Sequence, residues 1–298
     1  MQISFNEATA YRCSNLQYDL QLCEKAGFDY IELRGDMLLD YLVEHKVEDL
    51  IDFFSNSHLK PHAINALYTY WGMFDKLNRN AERDRALISY FLTCCQVSKA
   101  IGNHYFIVVP DLLDDANNIY FPHDGQNMDY PYDSNEVTEK YVYILRKLAK
   151  IAEEYEMNLC FEPVGSCGCA VRTIDHALQI IQEVDYNNVG LVLDSFNLYL
   201  NGKSNDFSDI TKVPVEKVFA VHINNSDDIP IGILDHQHRR FVDSGCLNLH
   251  GFLSALKQIG YTGMVSIETF RPEYYCLPPQ NVISTAYVTT KKLIDSYR

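Results

Sequence analysis

Short runs of apolar, β-branched or aromatic residues alternate with amphipathic stretches along the whole 298-residue chain, and this alternation restricts the folds open to it. The strand-like runs cover 2–8, 29–34, 59–66, 104–110, 158–164, 189–195, 218–224 and 263–270. Several are almost unbroken, such as Val218-Phe219-Ala220-Val221 and Val189-Gly190-Leu191-Val192-Leu193. Unbroken apolar runs are what parallel strands covered on both faces require, whereas half-exposed strands alternate.

Helical patterns fall between the runs, at 15–26, 47–57, 81–101, 136–155, 173–184, 249–259 and 282–297. Leu16, Leu20, Cys23 and Ala26 repeat at helical spacing, and Gly27, Gly102 and Gly260 stand where a helix would stop. Alternating strands and helices imply a parallel sheet with right-handed crossovers. Eight such units close into an α/β architecture, a single (β/α)8 TIM barrel, with an open doubly wound sheet as the alternative. No G-x-G-x-x-G follows the first strand, where a dinucleotide fold would carry it, and no P-loop is present. The chain reads as one domain over 1–298, with an irregular Asp-, Asn-, Pro- and Tyr-rich loop at about 111–135 after the fourth strand.

Four polar residues interrupt the apolar strands of the second half. Glu162 lies in Cys160-Phe161-Glu162-Pro163-Val164, Asp194 in Leu191-Val192-Leu193-Asp194, His222 in Ala220-Val221-His222-Ile223 and Glu268 in Val265-Ser266-Ile267-Glu268. Each stands near the C-terminal end of its strand, and in a closed barrel the four strands are neighbours. Taken singly, a strand-end acid is more often a helix cap or an ion-pair partner than a ligand. Repetition on four consecutive strands points instead to one shared site. Buried carboxylates that converge must be paired, protonated or given a metal. A divalent cation is the simplest remedy, and carboxylate oxygens with one imidazole suit Mn, Zn, Co or Mg.

The net charge of −15 disfavours nucleic acid as a partner, since an acidic surface repels phosphate. No apolar run of membrane-spanning length and no signal-peptide pattern is visible, so neither a membrane nor export is expected. Nine cysteines without an export signal fit reduced thiols in the cytoplasm better than a disulfide framework.

The four positions resemble the metal site of the xylose-isomerase-like TIM-barrel superfamily, which holds sugar epimerases, hydroxypyruvate isomerases and inosose isomerases. The chain is most similar to the inosose (2-keto-myo-inositol) isomerase branch of inositol catabolism. Segments that carry the likeness are Phe5-Asn6-Glu7-Ala8-Thr9, Leu22-Cys23-Glu24-Lys25, Asp29-Tyr30-Ile31-Glu32, Asn188-Val189-Gly190-Leu191-Val192-Leu193-Asp194-Ser195-Phe196, Leu253-Ser254-Ala255-Leu256-Lys257 and Phe270-Arg271-Pro272-Glu273-Tyr274-Tyr275. The resemblance implies that Glu162, Asp194, His222 and Glu268 hold one divalent metal ion and that Glu162 and Glu268 also carry protons. It places Arg239 as a substrate-binding residue. Two departures stand out: Asn197 occupies a position where relatives commonly carry His, and Val242-Asp243-Ser244-Gly245 replaces a Pro-Gly-x-Gly turn. Asparagine can hydrogen-bond a substrate hydroxyl but cannot titrate near neutrality.

The implied activity is a metal-dependent isomerase interconverting keto-inositols by proton transfer through an enediolate, its partner a small polyhydroxy ketone. A sugar 3-epimerase or dehydratase on the same site, or a non-catalytic metal- and sugar-binding barrel, are the alternatives. An apurinic endonuclease of this architecture would need more metal ligands and a less acidic surface. A homo-oligomer is open. Further substrate contacts are expected from Asn197, from Arg271 just past Glu268, and from Trp71, which with Tyr68 and Tyr70 would wall a sugar ring. His62, His123, His236 and His238 could approach the mouth, Glu32 could face inward, and Cys167-Gly168-Cys169 reads as reduced loop thiols. Tyr141 and Tyr143 read as packing or surface.

Overall fold

The computed structural model describes residues 1–75, 81–111, 134–166, 168–201 and 205–297. Most of the irregular loop after the fourth strand, including His123, lies outside the described residues, as does Cys167. Eight parallel strands close into a barrel: β1 (Gln2–Asn6), β2 (Tyr30–Arg34), β3 (Lys60–Tyr68), β4 (Tyr105–Val109), β5 (Asn158–Phe161), β6 (Val189–Asp194), β7 (Val218–Ile223) and β10 (Met264–Ile267). A two-stranded antiparallel ribbon, β8 (Asn225–Ser226) and β9 (Arg239–Arg240), stands outside it. The order around the barrel is β1-β10-β7-β6-β5-β4-β3-β2, closed where β1 pairs with β2. The expected (β/α)8 TIM barrel is therefore the fold.

The outer ring is built by α1 (Leu16–Ala26), α2 (Gly35–Glu44), α3 (Val47–Asn56), α4 (Ala81–Ile101), α5 (Asn135–Glu154), α6 (Ile174–Val184), a short α7 (Ser195–Leu200), α8 (Leu249–Gln258), α9 (Pro272–Tyr275) and α10 (Pro279–Asp295). Polar residues start these helices where the chain supplies them. Asn15, Ser134, Thr173 and Asn248 each accept a backbone N–H of the first turn, satisfying a donor that has no partner inside the helix. Gly27 ends α1 at φ 98°, a left-handed conformation that a side chain would strain.

Side-chain alternation divides the core in two. Phe5, Ile31, Leu33, Phe106, Leu159, Phe161, Leu191 and Ile267 point outward into the layer between sheet and helices. Phe28 joins that layer to the last helix, its ring centroid 5.4 Å from Phe5 and 5.1 Å from Tyr287. Burying one such ring stabilises the fold by about 1.5–3 kcal/mol. Ala63, Ile107, Cys160, Val192 and Ala220 form a smaller apolar cluster, with Tyr105 and Phe219 against it, on the inward-facing positions of their strands. His62 is buried among the Tyr30 and Tyr105 rings, where burial lowers its pKa to about 4. Beside the end of β1, Glu7 and Asp19 are both buried, and Glu7 accepts the Arg34 backbone N–H at 2.7 Å.

Candidate metal centre

Glu162, Asp194, His222 and Glu268 stand at the C-terminal rim of β5, β6, β7 and β10. Glu162 and Glu268 follow directly on the last ladder residues, Phe161 and Ile267, while Asp194 and His222 are register partners on adjacent strands. One ligand atom from each lies within 4.8 Å of the others, and all four residues are buried. The sequence expectation that they converge is met.

Around the carboxylates runs a shell of donors. Glu268 Oε1 accepts from Asn65 Nδ2 at 2.6 Å and from Asn6 Nδ2 at 3.1 Å. Arg239 Nη1 donates to Glu268 Oε2 at 2.6 Å and to Asp194 Oδ2 at 3.0 Å. Asp194 also accepts from Asn224 Nδ2 at 2.9 Å and from the Asn197 backbone N–H at 2.6 Å, which makes it the N-cap of α7. Asn197 Nδ2 donates to Glu162 Oε1 at 2.7 Å, and its side-chain Oδ1 accepts from Arg239 Nη2 at 3.2 Å. Asn6, Asn65 and Asn224 had not been singled out in the sequence. Their only signal is register: Asn224 stands two residues after His222, and Asn6 pairs with inward-facing Glu32.

Two cationic residues singled out in the sequence take different places. Arg239, expected from the resemblance to bind substrate, is 1% exposed and inserted among the acids. Its guanidinium lies between the Phe196 and Phe270 rings, 5.1 and 5.2 Å from their centroids. Arg271, expected beside Glu268, turns away to Asp227 at 2.9 Å and Glu273 at 3.2 Å. Asp227 also holds Arg240 at 2.6 Å, so Arg271 braces the ribbon that delivers Arg239. Trp71 packs against the outer core, its backbone N–H bonded to Asp111 Oδ2 at 2.6 Å. Tyr68 is 54% exposed at the end of β3, and Tyr70 donates to Asp84. His236 lies with its ring 5.4 Å from that of Phe270, while His238 pairs with Asp235.

The charges are uneven. Burial pushes Glu162 up to about 8, with Glu268 and Asp194 adding to the shift and His222 opposing it. Burial acts on Glu268 too, yet His222 and Arg239 outweigh it and hold this carboxyl well below the usual range. Burial raises Asp194, against the pull of Arg239. His222 is taken well above its ordinary value because Glu32 and Glu268 overcome burial.

The donor set fits a divalent ion. Three carboxylates against one guanidinium leave a formal charge of −2 with the imidazole neutral. His222 Nδ1 is buried without a hydrogen-bond partner, 3.3 Å from Glu268 Oε2 and 3.8 Å from Glu162 Oε1. Ligands at about 2.0–2.2 Å from an ion sit at most about 4.4 Å apart, so small side-chain rotations bring the four donors into range.

Gly165 explains how Glu162 and Asn197 come together. Its N–H donates to the Asn197 carbonyl at 3.0 Å, and a Cβ there would lie 2.3 Å from that oxygen. Only glycine lets the segment after β5 approach α7 so closely. Among the described residues no helix is long and apolar enough to cross a membrane.

Comparison with known proteins gives the same architecture and a full-length match. The chain is 36% identical over 298 residues to an inosose isomerase of Bacillus subtilis strain 168, covering 100% of this chain and 99% of that protein. An inosose isomerase of Bacillus velezensis is also 36% identical, with 100% and 98% covered. The crystal structure of an IOLI protein with a bound zinc atom superposes with a TM-score of 0.85 at 36% identity, covering 100% of this chain and 99% of that one. The xylose isomerase-like TIM barrel family matches residues 20–290, and with full-length relatives of this identity the chain belongs to that family.

Proposed function

We propose that this protein is a metal-dependent isomerase that interconverts keto-inositols by moving a proton between neighbouring carbons through an enediolate. The observation that carries this reading is the buried cluster of Glu162, Asp194, His222 and Glu268 at the rim of a barrel whose full-length relatives are inosose isomerases. The four residues would hold one divalent ion, Mn, Zn, Co or Mg. When bound, such an ion polarises a carbonyl and makes the adjacent C–H more acidic.

The chain's own residues supply the rest. Glu162 and Glu268 exchange the proton with the substrate. Glu162 is the less encumbered, with the Asn197 amide on one oxygen, whereas both Glu268 oxygens already accept donors. Arg239 and Asn197 present donors at the same edge and orient substrate oxygens. The Phe196 and Phe270 rings keep the Arg239 guanidinium in place and away from bulk water. Trp71 and Tyr68 flank the β3 side of the mouth. Arg271 acts through Asp227, by fixing the ribbon. The surroundings proposed for the enzyme are cytoplasmic, with no nucleic acid or membrane partner and self-association into a homo-oligomer open to measurement.

Incubating metal-reconstituted protein with inososes and ketohexoses in D2O tests the proposal. Deuterium should enter an inosose at the carbon next to the ketone as the isomer appears. Exchange confined to C3 of a ketohexose would make it an epimerase, and loss of water would make it a dehydratase. Metal-dependent sugar binding with neither exchange nor product would leave a binding protein.

A further inference from the structure

His222 is fixed from behind by a carboxylate on the far side of the barrel. Glu32, on β2, places both oxygens on the same ring nitrogen, with Nε2 at 3.0 Å from Oε1 and 3.1 Å from Oε2. Both side chains are wholly buried. β2 and β7 are not neighbours: β1 and β10 stand between them, so the contact crosses the interior. Among the described residues no lysine or arginine forms an ion pair with Glu32. A buried carboxylate needs a donor, and the one that meets it is Nε2–H.

This contact settles the ring's orientation. With Nε2 carrying the proton toward Glu32, a neutral imidazole has its lone pair on Nδ1. Nδ1 is the nitrogen that faces the acids, at 3.3 Å from Glu268 and 3.8 Å from Glu162, and it has no hydrogen-bond partner. Turning the ring over would break both contacts to Glu32 and set a C–H against the carboxylates. We infer that Glu32 is a positioning residue that holds His222 in the Nε2–H tautomer, with Nδ1 presented to the cation. Outer partners of this kind orient a metal-bound histidine and raise its basicity. The inference rests on the proposed metal-dependent reading, and it extends that reading to a residue outside the four donors.

Cobalt(II) is the probe. Chelator-stripped protein is titrated with Co²⁺, and binding is followed by visible absorption for the wild type and Glu32→Gln. The variant should stay folded by circular dichroism and bind Co²⁺ about 10–100-fold more weakly. Glutamine keeps the volume but can offer its NH₂ as well as its oxygen, so it no longer selects the tautomer. Independently of any variant, ¹⁵N shifts of His222 in the zinc-loaded wild type should show Nε2 protonated and Nδ1 bound to metal. A folded Glu32→Gln protein with unchanged Co²⁺ affinity, or a His222 that binds metal through Nε2, overturns the inference and leaves the metal site standing. A wild type that binds no Co²⁺ overturns the metal-dependent reading, and the inference with it.

Discussion

The side-chain amide of Asn197 donates to Glu162 Oε1 at 2.7 Å. A hydrogen bond to a charged group contributes about 1.5–3 kcal/mol, so Asn197→Ala should lower kcat about 10–100-fold if Glu162 carries the proton. Asn197→Asp should be worse, because it sets a second carboxylate against the first. Steady-state kinetics alongside zinc content by mass spectrometry checks this: full zinc with unchanged kcat in the alanine variant would remove Asn197 from the machinery.

The two glutamates give a harder test. Glu162→Gln and Glu268→Gln should each reduce turnover by at least about 10²–10⁴-fold, the contribution of a positioned acid or base. Deuterium exchange into bound substrate should vanish with turnover. If either variant exchanges at the normal rate with metal bound, that residue is not the proton carrier.

Arg239 offers a stability measurement. It is 1% exposed and pairs with Asp194 and Glu268, so Arg239→Ala strands two buried negative charges. Removing one partner from a buried ion pair costs about 3–5 kcal/mol. The loss should be large in metal-free protein and smaller once zinc is added, because the ion compensates the same oxygens. Thermal melts with chelator and with zinc would show the difference, and an equal drop in both would contradict it.

Asp19 sets a pH dependence away from the site. Burial pushes its pKa up to about 7, from an ordinary 3.8, and Glu7 beside it is raised as well. Between those two values the folded chain binds more protons than the unfolded one, so stability falls as pH rises through this window and levels off above it. Asp19→Asn has no charge to bury. It should therefore gain on the wild type from pH 5 to pH 8 in melting temperature, and parallel curves would disprove the assignment.

The barrel was legible because parallel strands buried on both faces favour continuous apolar runs, several of the strands, such as β6 and β7, read that way, and helical patterns alternate with them along the chain. Their limits were less so, since a strand ends on hydrogen bonding rather than composition: 158–164 stops at Phe161 and 263–270 at Ile267. The helix α2 was missed because it begins at Gly35 directly after β2, and Arg34 provides no side-chain cap to announce it. Glu162, Asp194, His222 and Glu268 stood out as charge in apolar surroundings. Asn6, Asn65 and Asn224 did not, since asparagine near a strand end is ordinary in sequence and acquires meaning only from what lies across the barrel. The partner of Arg271 was hidden for a related reason. Arg271 is three residues from Glu268 along the chain, but the turn into α9 carries it off toward Asp227.

The ribbon of β8 and β9 separates two duties within one site. Glu162, Asp194, His222 and Glu268 stand on or directly after strands of the closed sheet, where moving one means disturbing the barrel. The Arg239 guanidinium that pairs with Asp194 and Glu268 arrives instead on the ribbon, which stands outside the barrel. A shift of that ribbon would accordingly withdraw the cation from Asp194 and Glu268 while the four barrel-mounted side chains stay in place.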